Sequence, residues 1–203
     1  MAIDAKREYR SVLNFKVQEN APYTVRGYAA TFEPYVLYSE GGVDYSERID
    51  PHAFDQADMQ DVILQYNHAG KVFARQSNGT LELGVDAHGL WIKADLSSTE
   101  ASKALYDEIR MGLITKMSFA FTVAEDHYER DTHTRGIDRV KKVYDVSAVS
   151  IPANPGTDIS ARAYFDGVIE AEKAERLEAE RRQAQRKRLQ LKMRLNGGFN
   201  NGN

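Results

Sequence analysis

The sequence predicts a mainly β domain of the α+β class, a β-barrel or sandwich decorated by helices, followed by a charged helix. Short segments with a two-residue apolar period alternate with turns rich in Gly, Asn and Asp, and one amphipathic helix interrupts them. Beyond Ile159 the texture changes from aromatic and β-branched residues to Ala, Glu, Arg, Gln and Leu. The length of 203 residues suits one domain with an appendage, and a hydrophobic fraction of 42% is enough to build a core. Charge divides along the same line. Residues 166–203 carry nine basic and six acidic side chains of the 27 and 30 in the chain, which leaves the body at −6 and the tail at +3. The expected organisation is an N-terminal segment at 1–22, a β domain at 23–165, a charged helical tail at 166–195 and a disordered Asn- and Gly-rich end at 196–203.

Within the body, Asp61–His68, Gly79–Leu83 and Leu90–Leu96 read as strands, with Leu90, Ile92, Ala94 and Leu96 on one face. Ser77-Asn78-Gly79 and Asp86-Ala87-His88-Gly89 supply the turns. Ser97–Met111 reads as a helix: Ser97 and Glu100 have capping-box spacing, Ala101, Ala104, Leu105 and Ile109 form a stripe, and Gly112 stops it. Thr115–Val123 then alternates, with Met117, Phe119, Phe121 and Val123 on one side and Lys116, Ser118, Ala120 and Thr122 on the other. A polar stretch from Glu125 to Asp138 reads as a connection to a last strand, Val140–Ile151, ended by Pro152 and Pro155.

Several chemistries are excluded at once. Zero cysteines remove disulfides, thiolate catalysis and cysteine-based metal sites. The glycine-loop signatures of nucleotide binding and the His-Glu-x-x-His helix are absent, so no cofactor is expected. Glu125, Asp126, His127, Asp131 and His133 offer oxygen and nitrogen ligands without a metal-binding spacing, and read as a solvated hairpin loop; no metal is expected there. His52 and His88 read as exposed turn residues. No apolar run approaches the roughly 18 residues that cross a bilayer, and Met1–Arg10 is charged where a secretory signal is apolar, so a cytoplasmic protein with no membrane partner is expected.

Three residues stand out from this background. His68 ends an apolar strand just before Ala69-Gly70, where the chain can open onto a surface. Ser118 is sent by the pleat away from the Met117, Phe119 and Phe121 stripe, which leaves its hydroxyl free to meet a base. Asp145 lies in an apolar strand, on the side of Ser147 and Val149, where a carboxylate needs a partner such as an imidazole N–H. Singly, each has a bland structural reading. Together they supply a nucleophile, a base and an orienting carboxylate, a set that occurs in several chain orders on unrelated folds.

The order of these pieces resembles the tailed-phage prohead proteases, capsid-maturation serine proteases related to herpesvirus assemblin. The likeness runs from Val25 to Ile159 through Gly27-Tyr28-Ala29, Glu47-Arg48-Ile49, Pro51-His52-Ala53-Phe54, Tyr66-Asn67-His68, Gly79-Thr80-Leu81, Asp86-Ala87-His88-Gly89-Leu90, Met117-Ser118-Phe119-Ala120-Phe121, Asp145-Val146-Ser147 and Pro152-Ala153-Asn154-Pro155. The resemblance implies a small β-barrel of the herpesvirus-protease type flanked by helices, with His68 as base, Ser118 as nucleophile and Asp145 as third member. The family more usually shows Glu at the Asp145 position and Gly at the His52 position. The implied substrates are capsid-protein extensions or scaffold inside an assembling procapsid in the host cytoplasm, and the chain itself; self-association is open. Oxyanion donors could come from the backbone around Phe119 or from Ala153–Gly156. The rival is a non-enzymatic capsid assembly module.

The tail from Val168 to about Leu195 favours helix, but its heptad positions mix Leu177, Ala184 and Leu191 with Glu170, and Ala174 and Leu195 with Arg181 and Arg188, so the seam is only partly apolar. The cluster Arg181, Arg182, Arg186, Lys187 and Arg188 reads as a solvated helix face, and the acidic body argues against a nucleic-acid partner.

Overall fold

The computed structural model describes residues 7–13, 15–18, 21–150 and 159–197. Its body is mainly β, as expected, and it belongs to the α+β class. The strands are β1 (Glu8–Leu13), β2 (Phe15–Val17), β3 (Thr24–Thr31), β4 (Tyr35–Glu40), β5 (Val43–Ile49), β6 (Ile63–Tyr66), β7 (Ala69–Arg75), β8 (Leu81–Val85), β9 (Gly89–Asp95), β10 (Lys116–Glu129) and β11 (Thr134–Val149). The helices are α1 (Glu100–Arg110) and α2 (Ile159–Gly197). The expectation of a small barrel meets two separate sheets. One has the order β1-β10-β11-β5-β4 with β6 and β7 branching from β11; the other is β2-β3-β9-β8, and among the described residues neither closes on itself. The divergence begins early: β1 pairs with β10 whereas β2, next in sequence, pairs with β3. The 1–22 segment thus contributes a strand to each sheet.

A single apolar cluster joins the sheets, drawing Val25, Ala29, Leu90 and Ile92 from the smaller and Leu64, Met117, Phe119, Phe121 and Val146 from the larger. The rings of Phe119 and Phe121 stack at 4.4 Å. β11 is the spine. At about 3.3 Å per residue its 16 residues reach about 50 Å, long enough for two parallel partners on one edge. Thr134–Ile137 pairs with β5, and Asp145–Ala148 pairs with β6.

Two element expectations are corrected. α1 is capped by Thr99 rather than Ser97: Thr99 is extended, and its hydroxyl accepts from Ser102 N–H at 3.0 Å. Ser97 instead donates its N–H to Asp95. The buried stripe is accordingly Ser102, Leu105 and Ile109, with Ala104 exposed, and Gly112 follows at φ +75° as the expected stop. The polar stretch 125–138 is not a loop. β10 and β11 continue through it as paired strands, with Glu125 opposite Arg139 and His127 opposite Gly136. The His127 ring lies across Gly136, where an added Cβ would stand 2.3 Å from it. Cross-strand charge pairs hold this arm, so the apolar alternation that announces a half-buried strand is missing from it.

The chain divides into two compact units, 1–162 and 163–203. In the second, the tail is helical and exposed, with ion pairs one turn apart between Glu178 and Arg182 and between Arg176 and Glu180. The helix begins at Ile159 and runs through Asn196 and Gly197, beyond the expected limits; the rest of the expected disordered end lies outside the described residues. No described helix is long and apolar enough to cross a membrane.

Candidate active site

β10 lies between β1 and β11, and its register puts Ser118 opposite Ser11 on one side and Ser147 on the other. The pleat separates its side chains as expected, with Met117, Phe119 and Phe121 fully buried in the core. The opposite side is not solvated, however. Ser118, Ala120 and Thr122 are all at most 2% exposed. Asp145 and Ser147, two residues apart on β11, share that face, because neighbouring strands in register point their side chains the same way.

His68 reaches the same place by a different route. β6 pairs with the end of β11 that holds Asp145 and Ser147, and a two-residue turn, Asn67-His68, then folds the chain back so that Tyr66 pairs with Ala69. Both turn residues have positive φ, 51° and 56°, as the tightest hairpins require. Asn and His enter that region more readily than most side chains, yet each carries strain of about 1–3 kcal/mol unless the surroundings fix it. They do. Asn67 N–H bonds Ala148 O at 2.9 Å, the Asn67 side chain accepts from Ser150 N–H at 3.2 Å, and His68 N–H bonds Ser147 Oγ at 3.1 Å.

So anchored, the imidazole bridges the two strands. His68 Nδ1 lies 2.5 Å from Asp145 Oδ1, and His68 Nε2 lies 2.7 Å from Ser118 Oγ. An ionised carboxylate only accepts, so Nδ1 carries the proton and Nε2 presents its lone pair to the Ser118 hydroxyl. Ser147 Oγ donates to Asp145 Oδ1 at 3.0 Å, which helps satisfy a carboxylate that is 2% exposed. The Tyr9 ring packs edge-on against His68 at 4.7 Å. The His68 side chain remains 15% exposed, so solvent reaches one flank of the imidazole. In this arrangement the ring can take up the hydroxyl proton while the carboxylate offsets its charge.

The three residues singled out from the sequence therefore meet, though 50 and 77 positions separate His68 from its partners. The sequence pattern names Ser147 and Asn67 only as neighbours of Asp145 and His68, and gives no role to Tyr9. A serine two places after Asp145 in an apolar strand is a usable signal; nothing marks Tyr9, because residues 1–22 carry no clear strand period. Of the oxyanion candidates, Phe119 lies in register with Arg10 and Val146 on its two sides, and Ala153–Gly156 lies outside the described residues.

The remaining polar candidates have other partners. His52 bonds Asp55, and His88 packs against Tyr28. The 125–133 cluster is dispersed into other pairs: across the strands Glu125 with Arg139, Asp126 with Arg135 and His127 with Asp138, and along β10 His127 with Glu129; Asp138 and Glu129 raise the His127 pKa. Among the described residues no group of His, Asp and Glu is arranged to hold a metal ion.

No curated protein and no solved structure matches the chain. The family model of the caudovirus prohead serine proteases does, over residues 11–168, which takes in β10, β11 and the Asn67-His68 turn. The chain belongs to the caudovirus prohead serine protease family.

Proposed function

We propose that this protein is a serine endopeptidase that cleaves capsid-protein extensions or scaffold inside an assembling procapsid in the host cytoplasm, and also cleaves itself. The observation that carries the reading is the 2.7 Å approach of His68 Nε2 to Ser118 Oγ, with Asp145 behind the ring at 2.5 Å. Family membership supports protease chemistry and a capsid setting. As Ser118 Oγ attacks the scissile carbonyl, His68 takes its proton; the imidazolium, stabilised by Asp145, returns that proton to the leaving amine. Water then repeats the cycle on the acyl-enzyme and frees Ser118. Backbone N–H donors must meet the developing oxyanion, because preorganised donors there usually contribute most to the rate. The solvent-reachable flank of His68 supports approach of a peptide from that side. Kinship with the herpesvirus assemblin fold belongs to this proposal, supported only by the mainly β, α+β character of the body.

A non-enzymatic assembly module is the competing reading, favoured by the burial of Ser118, which is 1% exposed. Co-expression with the cognate capsid protein separates the two. Ser118→Ala and His68→Ala should leave the capsid protein and the tail uncut while the parent processes both, as read by mass spectrometry of the products. Full processing by either variant would refute the protease assignment.

A further inference from the structure

We infer that Ser147 is a positioning residue for the His68–Ser118 pair: its hydroxyl couples the Asp145 carboxylate to the backbone of the Asn67-His68 turn, so that ring and orienting group move as one unit. The inference rests on the protease reading above and deepens it.

Ser147 is completely buried, and both kinds of hydrogen bond available to its hydroxyl are used. It donates to Asp145 Oδ1 at 3.0 Å and accepts from His68 N–H at 3.1 Å. The first bond stays within β11, between residues two apart on one face; the second crosses to a turn 79 positions earlier in the chain. Asp145 Oδ1 thus receives two donors, the His68 ring and the Ser147 hydroxyl. The contact between Asp145 and the ring fixes the imidazole at a single atom, about which the ring could still pivot as the turn breathes. The bond from Ser147 fixes the other end of the same residue, at its backbone.

The geometry is specific to this position. β11 meets β10 and β6 at Ser147, opposite Ser118 and Gln65 respectively, so the hydroxyl stands where the strand of the nucleophile and the strand leading to the base converge. His68 also has positive φ, a sparsely populated conformation that the bond from its N–H to Ser147 helps to hold. A serine that merely satisfied a turn N–H would have no need to contact the carboxylate as well.

The test uses the full chain with p-nitrophenyl acetate as substrate and a fluorophosphonate as active-site probe. Ser147→Ala should lower kcat about tenfold, the scale of one lost hydrogen bond to a charged group, with KM within about twofold of the parent. Labelling of Ser118 should slow in parallel, and the melting temperature should stay within a few degrees. The low-field proton signal of His68 Nδ1–H should broaden or vanish in Ser147→Ala, and Ser147→Thr, which restores a hydroxyl, should recover both the signal and most of the rate. The inference is overturned if Ser147→Ala turns over at the parent rate, if it slows while the low-field signal is intact, or if Ser147→Thr recovers neither property. Ester hydrolysis that survives Ser118→Ala would instead sink the protease reading, and the low-field signal would still decide whether Ser147 holds the ring.

Discussion

At the scale of single residues, the site depends on a histidine held in the left-handed region of backbone space. The positive φ of His68 lets its ring lean back over β11 to Ser118, and Asp145 and Ser147 supply the restraint that keeps it there. Loss of Asp145 should therefore do more than remove a charge. Asp145→Ala frees the ring to turn and removes the group that selects its tautomer, so we expect activity to fall about 10⁴-fold, a smaller loss than the roughly 10⁶-fold expected for Ser118→Ala. Steady-state kinetics of the two variants on one peptide checks the order; equal turnover of Asp145→Ala and parent would remove that residue from the mechanism. His68, Ser118 and Asp145 were legible in the sequence because a nucleophile, a base and a carboxylate each stood in a strand-like segment with a reason to seek a partner. The burial of Ser118 was not. Alternation separates two faces of a strand, but it does not say whether the second face is wet, and here the His68 ring lies against Ser118 on that face.

At the scale of elements, turns and caps were easier to read than polar strands. Gly112 marked the end of α1 because a left-handed residue is needed there, whereas the capping-box spacing pointed to Ser97 and the extended backbone puts the cap at Thr99. Thr99→Ala should cost about 1 kcal/mol, since Ser102 N–H loses its acceptor. Ser97→Ala should lose less, as its N–H bond to Asp95 is kept. Thermal unfolding of the two variants compares them directly. The β10–β11 arm is hard to read from sequence for a physical reason: with Glu125 and His127 exposed and Arg139 half-buried, its stability comes from cross-strand pairs between residues that are scattered in sequence. Such pairs leave no period to detect.

At the scale of the whole molecule, the least expected feature is a buried ion network that fastens the N-terminal strand to four others. Arg10 on β1 bonds Glu47 on β5 at 2.5 and 2.7 Å and Glu8 at 2.6 Å; Arg135 on β11 bonds Glu8 at 2.8 Å and Asp126 on β10 at 2.6 Å; Tyr35 on β4 donates to Glu47 at 2.6 Å. Glu47 is completely buried, so Glu47→Ala would remove two of the hydrogen bonds of Arg10 and a buried counter-charge shared with Arg135, and should destabilise the fold by about 3–5 kcal/mol, read from chemical denaturation. The network also sets an acid limit. Burial alone would push the Glu8 carboxyl up, but hydrogen bonds and charge from Arg135 and Arg10 outweigh it and hold the pKa below its ordinary value of 4.5. A depressed acid contributes its stability in full above the unfolded-state value and loses it as the pH falls through the folded-state value. The parent should therefore lose stability below about pH 4.5, and Glu8→Gln should flatten that loss.

All three scales converge on one hydroxyl. β10 carries it, β11 and the Asn67-His68 turn bring the imidazole and carboxylate to it, and the network through Arg10 clamps β1 along its other edge. The most direct measurement is intact-mass and peptide mapping after exposure of the parent, Ser118→Ala and His68→Ala chains to a fluorophosphonate. One adduct on Ser118 of the parent, with none on either variant, is the expected result. An adduct on another serine, or labelling of Ser118 at the parent rate when His68 is gone, would contradict the account.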